Sequence, residues 1–124
     1  MISLPPSVRI FLCADTVDGR MGIDALSGMV TSALSLDPLS GHLFVFLAAR
    51  GRCARILFWD HNGFVLYSKR LERGRFHLPR ELPEGTTHLT IEATDLVLLL
   101  EGIDLRDATR RPRWTPPSTE TAAR

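Results

Sequence analysis

The spacing of apolar residues changes several times along this chain, and each change predicts an element. "VRIFLCA", residues 8–14, is almost wholly apolar, which predicts a first strand buried on both faces and central in a sheet. Asp15 to Arg20 reads as a turn. From Met21 to Leu36, residues Ile23, Leu26, Met29, Val30, Ala33 and Leu34 recur at steps of three and four, the period of an amphipathic helix. Pro38 cannot continue that helix and Gly41 permits a turn. One long N-terminal helix is therefore expected.

"HLFVFLAA", "CARILFWD" and "FVLYSKRL" follow at short intervals, predicting a three-stranded antiparallel meander. Asn62-Gly63 is its hairpin signal, because both residues tolerate the positive φ of tight turns. "RFHLP" adds an expected edge strand ended by Pro79, and "THLTIEA" a further short strand. Thr94 or Asp95 is placed to cap a last short helix, "DLVLLLEG", with Gly102 as its stop. Beyond Asp104 the text is polar and Pro-rich, with too little apolar content to pack. The expected fold is α+β: a mainly antiparallel sheet of five to six strands, with one long N-terminal and one short C-terminal helix. It occupies a single domain over residues 1–103, followed by a basic, disordered tail over residues 104–124.

Composition narrows the class without changing that picture. A chain of 124 residues with 44% hydrophobic and 23% charged side chains is an ordinary globular domain. Its longest apolar runs fall far short of the roughly 20 residues a bilayer helix needs. No basic region precedes an apolar stretch at the N-terminus, and Pro5 and Pro6 interrupt it, so a signal peptide is not expected. Cys13 and Cys53 show no CxxC spacing, which leaves a disulfide framework or zinc site unsupported and predicts reduced thiols in a cytoplasmic protein.

Charge does change the picture. The net +1 conceals eight basic against two acidic residues over 42–80, then five acids and no Lys or Arg over 81–102. Opposed blocks of this kind point to a basic working surface. Its densest part is "KRLERGR", residues 69–75, at the end of the expected hairpin. A two-residue Asn62-Gly63 turn pairs His61 with Phe64, setting Arg55 opposite Arg70 and Arg52 opposite Arg73. A three-residue loop pairs Asp60 with Phe64 and sets Arg55 against Lys69. In both registers Arg55 faces a cation, an arrangement that destabilises a sheet unless an anion lies between them.

Phe58, Trp59, Phe64 and Tyr67 lie on the same hairpin, and cations interleaved with aromatics suit phosphates and bases. The plainer reading makes the aromatics core and the cations a guard against edge aggregation, and composition alone favours it. Asp15, Asp18, Asp24 and Asp37 invite a metal-dependent nuclease reading, but their positions suit turns and a helix start, not convergence on an ion. His42, His61, His77 and His88 share no ligand spacing, and no GxSxG, P-loop or HExxH motif occurs. No metal or cofactor is expected.

The ordered blocks "VRIFLCADTVDGRMGIDALSGMV", "LDPLSGHLFVF", "ARILFWDHNGFVLYSKRLERGRFHLP" and "LLLEGIDL" resemble the small TnpB accessory family of IS-sixty-six bacterial insertion sequences. The likeness spans about residues 3 to 114. That family is distinct from the longer RNA-guided nucleases that share its name. Its "KRLExGRF" block falls on Lys69, Arg70, Leu71, Glu72, Gly74, Arg75 and Phe76, and its "WDxxGFVL" block on Trp59, Asp60, Gly63, Phe64, Val65 and Leu66. Its "SGHLFVF" block falls on residues 40–46. Where the family usually reads "DMRKG", this chain has Asp18, Gly19, Arg20, Met21 and Gly22, leaving Arg20 as the basic group of that loop.

The resemblance implies a non-catalytic protein acting beside a separate, larger transposase. The expected DNA contacts are Arg50, Arg52, Arg55, Lys69, Arg70, Arg73, Arg75, Trp59 and Tyr67, with secondary contacts from Arg20, Arg110, Arg111 and Arg113. The DNA would be the element's ends. The alternative is an adaptor that binds the transposase without touching DNA, docking through the acidic block from Glu81 to Glu101 and the apolar "LVLLL".

Overall fold

Strand β1 (Ile10–Cys13) is buried at every position, and the chain leaves it through α1 (Ile23–Ser32) to return as β2 (Leu43–Ala48), likewise buried throughout. A 3-10 turn (Ala49–Gly51), β3 (Cys53–Asp60), β4 (Gly63–Arg70), β5 (His88–Ile91) and α2 (Ala93–Leu100) complete the order in this computed structural model, which describes residues 7–78 and 82–103. The five strands form one sheet in the order β4-β3-β2-β1-β5.

Alternation of side chains across the pleat divides the core in two. Phe11, Cys13, Phe44, Phe46 and Leu57 face α1 and pack with its Leu26 and Val30, while Ile10, Leu12, Val45, Leu47, Ala54 and Ile56 face α2 and pack with Leu96 and Leu99. The apolar runs of β1 and β2 follow from this, since strands covered on both faces need no polar side. Each fully buried Phe or Leu here contributes about 1.5–3 kcal/mol over its exposed state.

The expected α+β arrangement, with a mainly antiparallel sheet and a long N-terminal helix, does not hold. The sheet is mixed: β1 runs parallel to β2, whereas β1–β5, β2–β3 and β3–β4 are antiparallel. A helical crossover returns the chain to the end from which β1 began, so the next strand must run parallel. Helix α1 has 10 residues and stops well before Leu36. Its last carbonyls are taken up in a wide turn in which the Leu34 amide donates to Met29 and the Leu36 amide to Val30, with Ser35 at φ 56°. Leu34 stays buried and Leu36 half-buried against the α1-side core, so the apolar period outlasts the helix.

The meander β2-β3-β4 forms as expected, and β5 matches "THLTIEA". Residues 75–78 form no strand, and Pro79 lies outside the described residues. The N-cap of α2 is Glu92, not Thr94 or Asp95, both of which are inside the helix; Asp95 accepts a bond from the Glu92 amide at 3.1 Å. Gly102 ends α2 at φ 81°, where its amide and that of Ile103 donate to Leu99 and Leu98. Residues 104–124, expected as a tail carrying Arg110, Arg111 and Arg113, lie outside the described residues. No helix among the described residues is long and apolar enough to cross a membrane.

Candidate nucleic-acid interface

The hairpin pairs in a register that neither turn reading anticipates. Asp60 pairs with Gly63 across a turn of His61 and Asn62, so Gly63 is the first residue of β4. His61 takes the positive φ, 61°, and the Asn62 amide bonds to the Asp60 carbonyl at 2.5 Å, closing a γ-turn. Arg55 consequently faces Ser68, Lys69 faces Ala54, and Arg70 faces Cys53. No cation opposes another across these strands. The anion required by opposed cations is not required by this hairpin.

Two expected DNA contacts turn out to be held inside the fold. The half-buried Arg55 projects on the α1 side, where its guanidinium donates to the Met21 carbonyl just ahead of α1; its buried Nε has no hydrogen-bond partner among the described residues. Lys69 projects on the α2 side and its ammonium donates to the Leu100 carbonyl at 2.9 Å. With Leu98 and Leu99 already bonded by Ile103 and Gly102, Lys69 completes the C-terminus of α2 and places a cation at the negative end of its dipole.

The remaining cations gather at the open end of the hairpin. Arg50 lies in the turn from β2 into β3 and Arg52 just after it, Arg70 ends β4, and Arg73 and Arg75 follow in the next loop; all five are exposed. Among the described residues none of them has an ion-pair partner, the single salt bridge being Arg20–Asp18 at 3.0 Å. Arg75 also donates to the Arg50 carbonyl at 2.7 Å.

Backbone contacts hold the loop that carries Arg73 and Arg75. The Leu71 amide bonds to the Arg52 carbonyl at 3.0 Å, and the Phe76 amide to the Gly51 carbonyl at 2.7 Å. The Phe76 ring is buried in the α2-side core. Gly51 adopts φ 85°, and a Cβ there would stand 2.7 Å from the Phe76 carbonyl oxygen, so only glycine fits this approach. The two ends of this tie, Gly51 and Phe76, are the feature that reading the sequence missed. "RGR" and "GRF" signal it only as glycine and arginine next to an aromatic.

The aromatic residues sit elsewhere. Trp59 and Phe64 form an edge-to-face pair, centroids 5.1 Å apart, at the turn end on the α1 side. Seven residue steps of β3 separate Trp59's neighbour Asp60 from Cys53, about 24 Å of strand. Tyr67 lies nearer the basic end but on the α2 side, 43% exposed. The cations and the ring pair thus occupy opposite ends of the hairpin.

Arg20 lies in the loop before α1 and is bonded to Asp18 through Nε and Nη2, at 3.2 and 3.0 Å. This pairing holds the Asp18 carboxyl at about 2, below the usual carboxylate range. Burial pushes the Cys13 thiol above its ordinary value. Asp15, Asp18, Asp24 and Asp37 do not assemble a centre: among the described residues, no three His, Cys, Asp or Glu side chains gather where they could hold a metal ion.

Comparison with known proteins points in one direction. A family model described as "IS66 Orf2 like protein" matches residues 8–110. The chain is 37% identical over 116 residues to the uncharacterized protein y4jC of Sinorhizobium fredii, covering 94% of this chain and 97% of that protein. It is 35% identical to the uncharacterized protein y4hO of the same organism, covering 94% and 96%. No solved structure matches it.

Proposed function

The chain belongs to the IS66 Orf2-like family, whose part is in insertion-sequence transposition, and from that premise we propose that it is a non-catalytic accessory protein that binds DNA beside a separate transposase. The observation that carries the DNA reading is the cluster of Arg50, Arg52, Arg70, Arg73 and Arg75, exposed at one end of the sheet and without ion-pair partners among the described residues. Guanidinium groups in this state are matched to phosphate oxygens, which they bind by paired N–H donors while releasing condensed counterions. The backbone of the loop holding Arg73 and Arg75 is tied by the Gly51–Phe76 contact, so binding has to order their side chains but not the loop that carries them. Arg55 and Lys69 support the surface from inside the fold.

The test is binding of the full chain to a duplex from the element's terminal inverted repeat and to a scrambled duplex, over a salt series. Affinity is expected to fall steeply with salt. Arg70→Gln with Arg73→Gln should reduce the slope of log affinity against log salt by about 1.8, whereas Arg55→Gln should leave it unchanged. Preference for the repeat would make the protein an end-recognition factor. An affinity indifferent to salt, or a slope unmoved by the double substitution, would refute the reading.

One observation favours the adaptor as the alternative. Val97 is 60% exposed on α2 and Ile103 is 40% exposed beyond it, with the exposed Glu101 between them in sequence. Binding to neither duplex, together with co-purification with the transposase at high salt, would assign the function to that apolar and acidic face.

A further inference from the structure

Among the described residues strand β4 is an edge of the sheet, 8 residues long, with no proline and no charge from Gly63 to Ser68. Edges of this kind are usually blunted by charge, proline or brevity, because their free backbone groups pair with any strand that reaches them. The other edge, β5, has 4 residues. Residues on β4 also expose apolar surface: Val65 is 38% and Tyr67 43% exposed.

The pairing with β3 determines which backbone groups are free. Gly63 faces Asp60 across the turn and the Leu71 amide bonds to the Arg52 carbonyl, so odd-numbered residues of β4 direct their amides and carbonyls toward β3. Those of Phe64, Leu66, Ser68 and Arg70 point to the open edge. We propose that this edge pairs with β4 of a second copy of the chain, antiparallel about a two-fold axis at Leu66.

In that register the edge is complementary to itself, which fits a second copy of the chain. Leu66 meets Leu66 and Phe64 meets Ser68 as hydrogen-bonded pairs, giving roughly six backbone bonds. Between them Val65 meets Tyr67 of the second copy twice, as non-bonded pairs whose side chains approach most closely. Both exposed apolar side chains lie on the α2 side, since their β3 partners Phe58 and Ile56 pack in that core, so both become covered together. The cations separate: Lys69 meets Gly63, and Arg70 meets Asn62.

Neighbouring registers lose these matches. Moving the axis to Tyr67 sets Val65 against Lys69 and Phe64 against Arg70. Moving it to Val65 sets Tyr67 against Gly63 and shortens the ladder. The paired copies form one continuous sheet with a basic end at either side, the two Arg70 residues about 27 Å apart along the strands.

Sedimentation of the full chain over a concentration series, without nucleic acid, should give the mass of two copies. Val65→Lys with Tyr67→Lys should give one copy with an unchanged circular dichroism spectrum, because lysines then oppose each other across the axis. Should that variant fail to fold, cross-linking decides. In a Cys53→Ser background, Val65→Cys and Tyr67→Cys proteins mixed in an oxidising glutathione buffer should form a disulfide-linked pair, and neither should do so alone. A single copy at every concentration, a pair that survives both lysines, or a cross-link within the Val65→Cys protein alone would overturn the proposal.

Discussion

Replacing Gly51 by alanine tests whether backbone contact, and not charge, holds the basic loop. Two costs are added at this position. The residue sits at φ 85°, where a side chain costs about 1–2 kcal/mol. A Cβ would also stand 2.7 Å from the Phe76 carbonyl oxygen. That oxygen is backbone and cannot rotate aside, so relief requires moving Phe76. Moving it weakens the 2.7 Å bond from its amide to Gly51, worth about 0.5–1.5 kcal/mol net, and disturbs a ring buried in the α2-side core. The expected loss is about 2–4 kcal/mol, a large part of the 5–15 kcal/mol typical of a domain. Gly74 provides the comparison, because it has a similar φ of 76° with open space around its Cβ position. Gly74→Ala should cost only about 1–2 kcal/mol. In urea unfolding, with a slope near 1–1.5 kcal/mol/M, the Gly51 variant should lose about 2 M in midpoint and the Gly74 variant about 1 M. Equal losses would refute the claim that close approach to Phe76 holds the loop.

Lys69→Met should lower stability by about 1 kcal/mol, since the ammonium completes the end of α2, and should leave the salt slope for DNA unchanged. A reduced slope at unchanged stability would place Lys69 in the interface after all. Asp18 should titrate at about 2 by NMR, and Arg20→Gln should return it toward 3.8. Because its folded value lies below the unfolded one, any stabilisation from this pair is complete above about pH 3.8 and is lost as pH falls through about 2. A titration near 3.8 in the unaltered protein would show that the pair does not persist in solution.

The hairpin register illustrates where local signals fail. Asn62-Gly63 marked the turn to within one residue, but the pairing follows the sum of contacts over both arms. The observed register places Leu57 beside Leu66 and Trp59 beside Phe64 on the α1 side. The two-residue alternative would pair Leu57 with Ser68 and Ile56 with Lys69, and the three-residue alternative would shift the pairing by one and turn every β4 side chain to the wrong face. Burial therefore outweighs the preference of Asn-Gly for the turn centre. The same competition ends α1 early, because Leu34 and Leu36 reach the core through a wide turn as well as they would from a helix.

Composition and period by themselves determined that β1 is an interior strand, that β2, β3 and β4 form a meander, that Gly102 stops the last helix, and that positive charge concentrates near the hairpin. Each depends on residues close in sequence or on the bulk hydrophobic pattern. Only the tertiary structure decided that β1 and β2 run parallel, which the crossover through α1 imposes. It likewise decided that Arg55 and Lys69 turn inward while Arg50, Arg52, Arg70, Arg73 and Arg75 stay exposed, with no ion pair among the described residues. A guanidinium or ammonium reads alike in the sequence wherever it lies; whether it meets solvent or an unsatisfied carbonyl depends on which helix end the fold brings beside it, as with Met21 before α1 and Leu100 at the close of α2.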